Sequence, residues 1–164
     1  MKARNSLILL LGVLGSLLLT GCAKPSGDYF LVSTETARLH EGSFDFTMDL
    51  DDTTCRYSTT LAARVVTSRV PGNALAFDIH VTSPIGETTI ERGTFPLYPA
   101  DGVRARAGSG SLVDFAWPWR TGFRISGAET GRWRISVTPT DPDLLDALYG
   151  LGFSYEVMPW EKEN

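Results

Sequence analysis

The sequence predicts an all-β fold, an antiparallel β-sandwich of the jelly-roll kind with one short helix near the C-terminus. From Tyr29 onward apolar residues recur at every second position, which places them on one face of an extended strand. Clusters of Gly, Pro, Asn and Asp separate these runs at short intervals and mark turns. Seven to nine short strands, each with one wet side, are typical of two sheets packed face to face.

The first half of the chain shows this alternation most clearly. Residues 43–50 place four apolar side chains on one face, and the acidic stretch 51–54 ends the strand as a turn. A second strand is predicted from Tyr57 to Arg69, where residues 71–73 close it with Pro-Gly-Asn. Two further strands, at 75–82 and 88–97, flank a Ser-Pro-Ile-Gly turn, which predicts a hairpin.

The second half mixes strands with one helical signal. The Gly-rich segment 101–110 predicts either a long loop or a weak edge strand, and strands are predicted near 113–119, 131–137 and 151–157. Between the last two strands, a helix of two turns at most is predicted. In it Asp141 is the cap, Pro142 the first residue and Gly150 the stop, with an apolar side made by Leu144, Leu145 and Leu148.

The N-terminus resembles a bacterial lipoprotein signal. Two basic residues, Lys2 and Arg4, precede an uncharged apolar run, which ends in the lipobox Leu19, Thr20, Gly21 and Cys22. We expect cleavage after residue 21 and acylation of Cys22 with diacylglyceryl and N-acyl lipid. We then expect a tether over 22–27, one β-sandwich domain over 28–160 and a charged tail over 161–164. The alternative, a retained transmembrane helix, is disfavoured because the apolar run is shorter than the roughly 20 residues of a bilayer span.

This anchor predicts a location in the cell envelope. Several acyl chains on one residue hold a protein at a membrane without crossing it. Acidic sorting residues after the lipidated cysteine are absent apart from Asp28, which favours the periplasmic side of the outer membrane over the cell surface.

Charge and cysteine content narrow the range of partners. The chain carries 15 basic and 19 acidic side chains, and loss of Lys2 and Arg4 with the signal brings the net charge to −6. Nucleic acid and anionic lipid surfaces are therefore excluded as expected partners. With Cys22 acylated, no second cysteine remains for an internal disulfide, so Cys55 is expected to be a small buried apolar residue.

The mature chain resembles the GldH family of gliding-motility lipoproteins from Bacteroidota between about Phe44 and Val157. The stretches that carry the resemblance are Leu50-Asp51-Asp52-Thr53 with Tyr57, the strand reaching Arg64, 75–79 leading to 83–86, 131–135, and 148–152 before Tyr155-Glu156-Val157. The segment 103–108 departs from the family, which often has a Trp-Leu-Gly-like sequence there. The resemblance implies a non-catalytic component of the gliding or type IX secretion machinery.

Three groups of side chains are candidates for a site. Asp49, Asp51 and Asp52 offer oxygen ligands for calcium, although a turn that bonds its own backbone is favoured. Trp117 and Trp119, with Arg120, could form a platform for a sugar ring or a partner protein, although a core role is favoured. Asp78 and His80 could form a proton-transfer pair, but a surface pair is commoner.

No phosphate loop, paired-cysteine metal motif or nucleophilic serine elbow is present in the sequence. We therefore expect no enzymatic activity, no metal and no cofactor beyond the covalent lipid. The leading hypothesis is an adaptor that binds other envelope proteins through strand edges or loops. The alternative is a carbohydrate- or peptidoglycan-binding lipoprotein that uses the tryptophans.

Overall fold

The computed structural model describes residues 30–97, 104–107 and 111–158, with the backbone alone described for Phe30 and for 104–107. The predicted signal, the lipidated tether and the charged tail lie outside these residues. The nine described strands are β1 (Phe30–Ser33), β2 (Phe44–Leu50), β3 (Arg56–Val66), β4 (Ala74–Thr82), β5 (Thr88–Pro96), β6 (Arg104–Ala107), β7 (Leu112–Pro118), β8 (Gly131–Pro139) and β9 (Leu148–Met158).

The strands form two antiparallel sheets. One has five strands in the order β1-β9-β3-β7-β6, and the other has four in the order β2-β8-β4-β5. The apolar positions of both sheets face each other and form one core, as in β4, where Leu75, Phe77, Ile79 and Val81 are buried. The predicted all-β sandwich is confirmed.

Aromatic contacts join the two sheets across the core. Phe46 on β2 stacks on Phe153 of β9 with ring centroids 5.6 Å apart, and Phe95 on β5 contacts Trp117 of β7 at 5.5 Å. Rings of this size bury a large apolar area per residue, and tilted or offset geometry adds a favourable quadrupole term. Paired rings therefore join both outer strands of the four-stranded sheet to the opposite sheet.

One predicted boundary is wrong, and one open alternative is resolved. The second strand ends at Val66, not at Arg69, because residues Thr67–Arg69 turn into a short 3₁₀ helix. The Gly-rich segment 101–110 contains strand β6, which pairs with β7 at the edge of the five-stranded sheet. Of the two alternatives for this segment, the edge strand is confirmed for its described residues.

The predicted C-terminal helix is present but shorter. Helix α2 covers Leu144–Ala147 and its N-cap is Asp143, whereas Asp141 accepts a hydrogen bond from the Asp143 backbone N–H at 3.0 Å. The chain becomes extended at Leu148, the first residue of β9, because that residue joins the sheet through its partner on β3. Gly150 is therefore a strand residue and not the helix stop.

Helix α1 (Thr34–Leu39), which precedes α2 in the chain, was not predicted. Ser33 caps it by accepting a hydrogen bond from the Thr36 backbone N–H, and Ala37 is its only buried residue. So short a helix with one buried position gives no apolar stripe in the sequence. An ion pair between Arg38 and Asp146 links α1 to α2.

Candidate functional site

Trp117 lies in the core and not on a surface. Its side chain is 2% exposed, its ring stacks on Phe115 with centroids 5.7 Å apart, and its indole N–H donates to the carbonyl of Pro96 at 2.7 Å. The alternation of β7 explains this position, because Phe115 and Trp117 share the inward parity. The favoured core role is confirmed for Trp117, and its part in a ligand platform is wrong.

Trp119 is half-buried, and a side chain of the same chain covers its ring. The guanidinium of Arg120 lies 5.0 Å from the ring centroid, and the edge of the ring meets Phe153. A sugar that stacked on the face under Arg120 would have to displace that cation–π contact. Trp117 and Trp119 therefore do not form the open platform that was the less favoured alternative.

Arg120 joins the two sheets through Glu91. Its Nη2 pairs with Glu91 Oε1 on β5, while its own backbone extends the pairing of β7 with β3. Thr59 fixes that backbone: its N–H donates to the Arg120 carbonyl at 2.7 Å and its hydroxyl accepts from the Arg120 N–H at 3.1 Å. Thr59 is a buried polar residue that sequence reasoning missed, since it lies on the apolar parity of β3.

The three aspartates proposed for calcium do not converge. Asp49 pairs with Arg132 on β8, whereas Asp52 accepts from the Thr54 N–H at 2.7 Å and from the Thr54 hydroxyl at 2.6 Å. The side-chain bond from Thr54, then its backbone bond, then the bond from Cys55 hold the pKa of Asp52 below its usual value.

Among the described residues no group of three or more His, Cys, Asp or Glu side chains could hold a metal ion. The three aspartates thus form no such group in the described part of the chain, and Asp52 makes the self-bonding turn that the sequence favoured. The reason is geometric. Asp49 accepts a hydrogen bond from Arg132 on the neighbouring strand, whereas Asp52 accepts one from Cys55 in its own loop.

Asp78 accepts its hydrogen bonds from an arginine, while His80 acts on it through charge. Arg92, directly opposite on β5, donates to both carboxylate oxygens of Asp78 at 2.8 and 3.1 Å. Hydrogen bonding to Arg92 lowers the pKa of Asp78, and the same bond raises the pKa of Arg92. Asp78 therefore forms a surface ion pair with Arg92, which fits the commoner reading of this aspartate.

Directly opposed aspartate and arginine side chains recur on both outer faces. Asp49 and Arg132, Asp78 and Arg92, and Arg64 and Asp114 are each register partners on neighbouring antiparallel strands. Exposed cross-strand pairs of this kind contribute little to stability individually, but they satisfy charges locally. These six charged groups therefore stabilise the sheets themselves.

The outer edge of β5 is the candidate functional site. β5 pairs with β4 through nine consecutive register partners without a bulge, and no other described strand pairs with its second edge. Its side chains from Thr88 to Ile90 are exposed, and Ile90 is 64% exposed. Backbone N–H and C=O groups along such an edge are ready to pair with another chain.

The other outer strands carry features that discourage pairing. β1 and β6 have four residues each, and β6 bears Arg104 and Arg106. β2 presents the exposed side chain of Asp45 on its solvent side. On β5, by contrast, both charged side chains after Thr88 are engaged within the domain, Glu91 by Arg120 and Arg92 by Asp78. Of the described edges, β5 is the longest and the least protected.

No described helix is both long and apolar enough to cross a membrane. Comparison of the chain with protein-family models, with curated proteins and with solved structures finds no match in any of the three.

Proposed function

We propose that this chain is a non-catalytic, lipid-anchored adaptor of the cell envelope that binds an extended protein segment along the outer edge of β5. The observation that carries the proposal is the regular, nine-residue edge with exposed Thr88, Thr89 and Ile90. Strand addition to such an edge gives affinity through backbone hydrogen bonds and specificity through alternate side chains.

The sandwich supports this role because it presents the edge on a rigid body. β5 is tied to β4 by its ladder, to the core by Phe95 and to the opposite sheet by the pair between Glu91 and Arg120. An edge that is already fixed in extended geometry loses little conformational entropy when a partner strand docks. Only the incoming segment has to become ordered.

The anchor is proposed from the lipobox ending in Cys22. Eight Cα–Cα steps separate Cys22 from Phe30, so the first residue of β1 can lie at most about 30 Å from the acylated residue. The adaptor would then work close to the membrane surface.

The assignment of this adaptor to gliding motility or type IX secretion rests on the sequence resemblance to the GldH family alone. That resemblance names the machinery whose components are the candidate partners.

Photocrosslinking tests the proposed edge. A photoreactive amino acid replaces Thr88 or Ile90 in the full chain in its own membranes, and the control replaces Ser136, on the outer face of interior strand β8. We expect a discrete crosslinked product from the two edge positions and none from the control. Equal products from all three positions, or no product from the edge, would contradict the proposal.

Two exposed isoleucines provide a matched pair of variants. Ile90 lies on the edge strand, whereas Ile85 lies in the turn before it and is 54% exposed. Lysine on an edge strand opposes strand addition. We therefore expect Ile90→Lys to remove the crosslinked product seen from Thr88 and Ile85→Lys to retain it. The product must be identified, and binding must be repeated with that protein in purified form.

A further inference from the structure

We infer that the segment occupying the β5 edge is β5 of a second copy of this chain, paired antiparallel about a two-fold axis at Ile90. This inference rests on the proposed function, because it names the partner of the same edge. Two four-stranded sheets would then join into one eight-stranded sheet. Such an interface is isologous, with the same strand contributed by both copies.

The charged side chains on and beside β5 restrict which residues can face each other when two copies of this strand pair. In an antiparallel pair, residues directly opposite each other lie on the same face of the sheet. A two-fold axis must therefore lie midway between one residue of β5 and the same residue of the second copy. An axis at Glu91 would oppose two glutamates, and one at Arg92 would oppose two arginines. An axis at Thr89 would place Glu87 opposite Glu91 of the other copy. Like charges directly opposite each other are destabilising.

An axis at Ile90 avoids every one of these conflicts. It places Thr89 opposite Glu91 of the other copy and Thr88 opposite Arg92, so both charged side chains of β5 meet a hydroxyl. An axis at Gly93 also avoids like charges, but it places Ile90 opposite Pro96, which has no backbone N–H to donate. Among the axes at residues 89 to 93, the central stretch of charged and apolar residues, the self-complementary register is therefore the one centred on Ile90.

The same axis explains the exposed isoleucine. Ile90 is 64% exposed on a face that otherwise carries hydroxyls and ion pairs, with Ser136 and His80 in the same register row. Pairing about Ile90 brings the two isoleucine side chains together, at the separation of about 4.5–5.5 Å between opposed Cβ atoms. Each copy thereby covers the large apolar side chain of the other.

Anchoring in one membrane would allow two copies to form a dimer through a small interface. The strand segment that pairs, residues 88–92, is too short to bury the roughly 1,200–2,000 Å² of a stable soluble complex. Confinement of two copies to one membrane raises their effective concentration without any new contact. The dimer is therefore expected in the anchored state and weak for the protein in dilute solution.

Disulfide trapping at the axis tests the inference. The full chain carries Cys55→Ser and Ile90→Cys, and its own membranes are treated with a mild oxidant before a non-reducing gel. Opposed Cβ atoms about 4.5–5.5 Å apart lie near disulfide range, and a modest backbone adjustment closes the remaining gap. Matched controls carry Thr88→Cys or Thr94→Cys, which lie on the same face of β5 but off the proposed axis.

We expect a band at twice the monomer mass from Ile90→Cys and at most one tenth as much from either control. Equal trapping from Thr94→Cys would overturn the register and with it the inference. No trapping from Ile90→Cys, together with photocrosslinking of the edge to a different protein, would overturn self-pairing and leave the proposed function standing. Failure of both trapping and photocrosslinking would overturn the two proposals together.

Discussion

The hydroxyl of Tyr57 bonds both backbone groups of Asp52. It accepts from the Asp52 N–H at 2.9 Å and donates to the Asp52 carbonyl at 2.8 Å, and its ring is 1% exposed in the core. One buried side chain on β3 therefore holds the turn that follows β2. The ring also contacts Phe123 at 5.8 Å, so the same residue fixes the loop after β7.

Replacing Tyr57 by Phe keeps the ring and removes both hydrogen bonds. We expect a loss of about 1–3 kcal/mol in the free energy of unfolding, because two backbone groups of a part-buried turn lose their partner. Urea unfolding monitored by fluorescence measures this change. Tyr149→Phe is the control, since Tyr149 is 59% exposed, and a loss in that variant equal to the loss in Tyr57→Phe would contradict the role of the Tyr57 clamp.

The same residue predicts a dependence on alkaline pH. Burial, the largest cause, raises the pKa of Tyr57 above the ordinary tyrosine value of about 10. The folded state therefore holds the phenol proton more tightly than the unfolded chain. This contribution to stability is complete below pH 10 and is lost as the pH rises through the raised pKa. Above pH 10 we expect wild-type stability to fall more steeply than that of Tyr57→Phe, as measured by unfolding at a series of pH values.

Gly93 makes room for the ring of Phe95. A Cβ atom at Gly93 would lie 2.6 and 2.8 Å from two atoms of that ring, which is held between Phe77 and Trp117. Because the ring would have to shift against Phe77 or Trp117, we expect Gly93→Ala to destabilise the domain by about 1–3 kcal/mol. Gly127→Ala is the control, because a Cβ there meets nothing within 4 Å. Thermal unfolding of both variants distinguishes this crowding from a general effect of glycine replacement.

The sequence predicts most strands of this fold because their signal is local. Side chains alternate across a strand with a period of two, and the alternation in β2 and β4 coincides with the observed burial. The exact ends are less predictable. Leu148 and Gly150 fit a helix end by spacing, but the pairing of β9 with β1 and β3 takes both residues into a strand.

The candidate site depends on information that is not local. Residues 88–97 are predictable as a strand, but whether that strand lies inside a sheet or at its edge follows from strand order, which depends on contacts distant in the chain. The same holds for Trp119 and Arg120, since only the position of β5 brings Glu91 to Arg120. The residue types marked Trp119 and Arg120 as candidate site residues. They could not show that Arg120 contacts both Trp119 and Glu91.

Glu91 and Arg120 offer a test of coupling between the sheets. A double-mutant cycle with Glu91→Gln and Arg120→Gln should give a coupling of about 0.5–1 kcal/mol, because both side chains remain partly exposed to solvent. Arg120→Gln alone should also change the fluorescence of Trp119, whose ring face it uncovers. Arg132→Gln is the control for loss of an exposed arginine, and an equal fluorescence change there would contradict the assignment.

At Gly150, β1 lies close to the backbone of β9. A Cβ atom at Gly150 would lie 2.9 Å from the Val32 carbonyl oxygen and 3.0 Å from Leu31 Cδ1. We expect Gly150→Ala to push β1 away and to weaken its four register pairs with β9. Hydrogen exchange should then accelerate at least tenfold for the amides of Leu31 and Val32, while those of β8 stay protected. Unchanged exchange in β1 would show that the strand tolerates the added methyl group.

The proposed anchor predicts the behaviour of Cys22→Ser. Serine supplies no thiol for acylation, so the variant should lose metabolic labelling by fatty acid and leave the membrane fraction. Cys55→Ser is the matched control, because it removes the other cysteine, whose thiol donates to Asp52 within the folded domain, and should leave both labelling and fractionation unchanged. Membrane retention of an unlabelled Cys22→Ser protein would overturn the anchor. Release from the membrane also removes the confinement on which pairing through β5 depends, so adding Cys22→Ser to the Ile90→Cys protein should abolish its trapped disulfide.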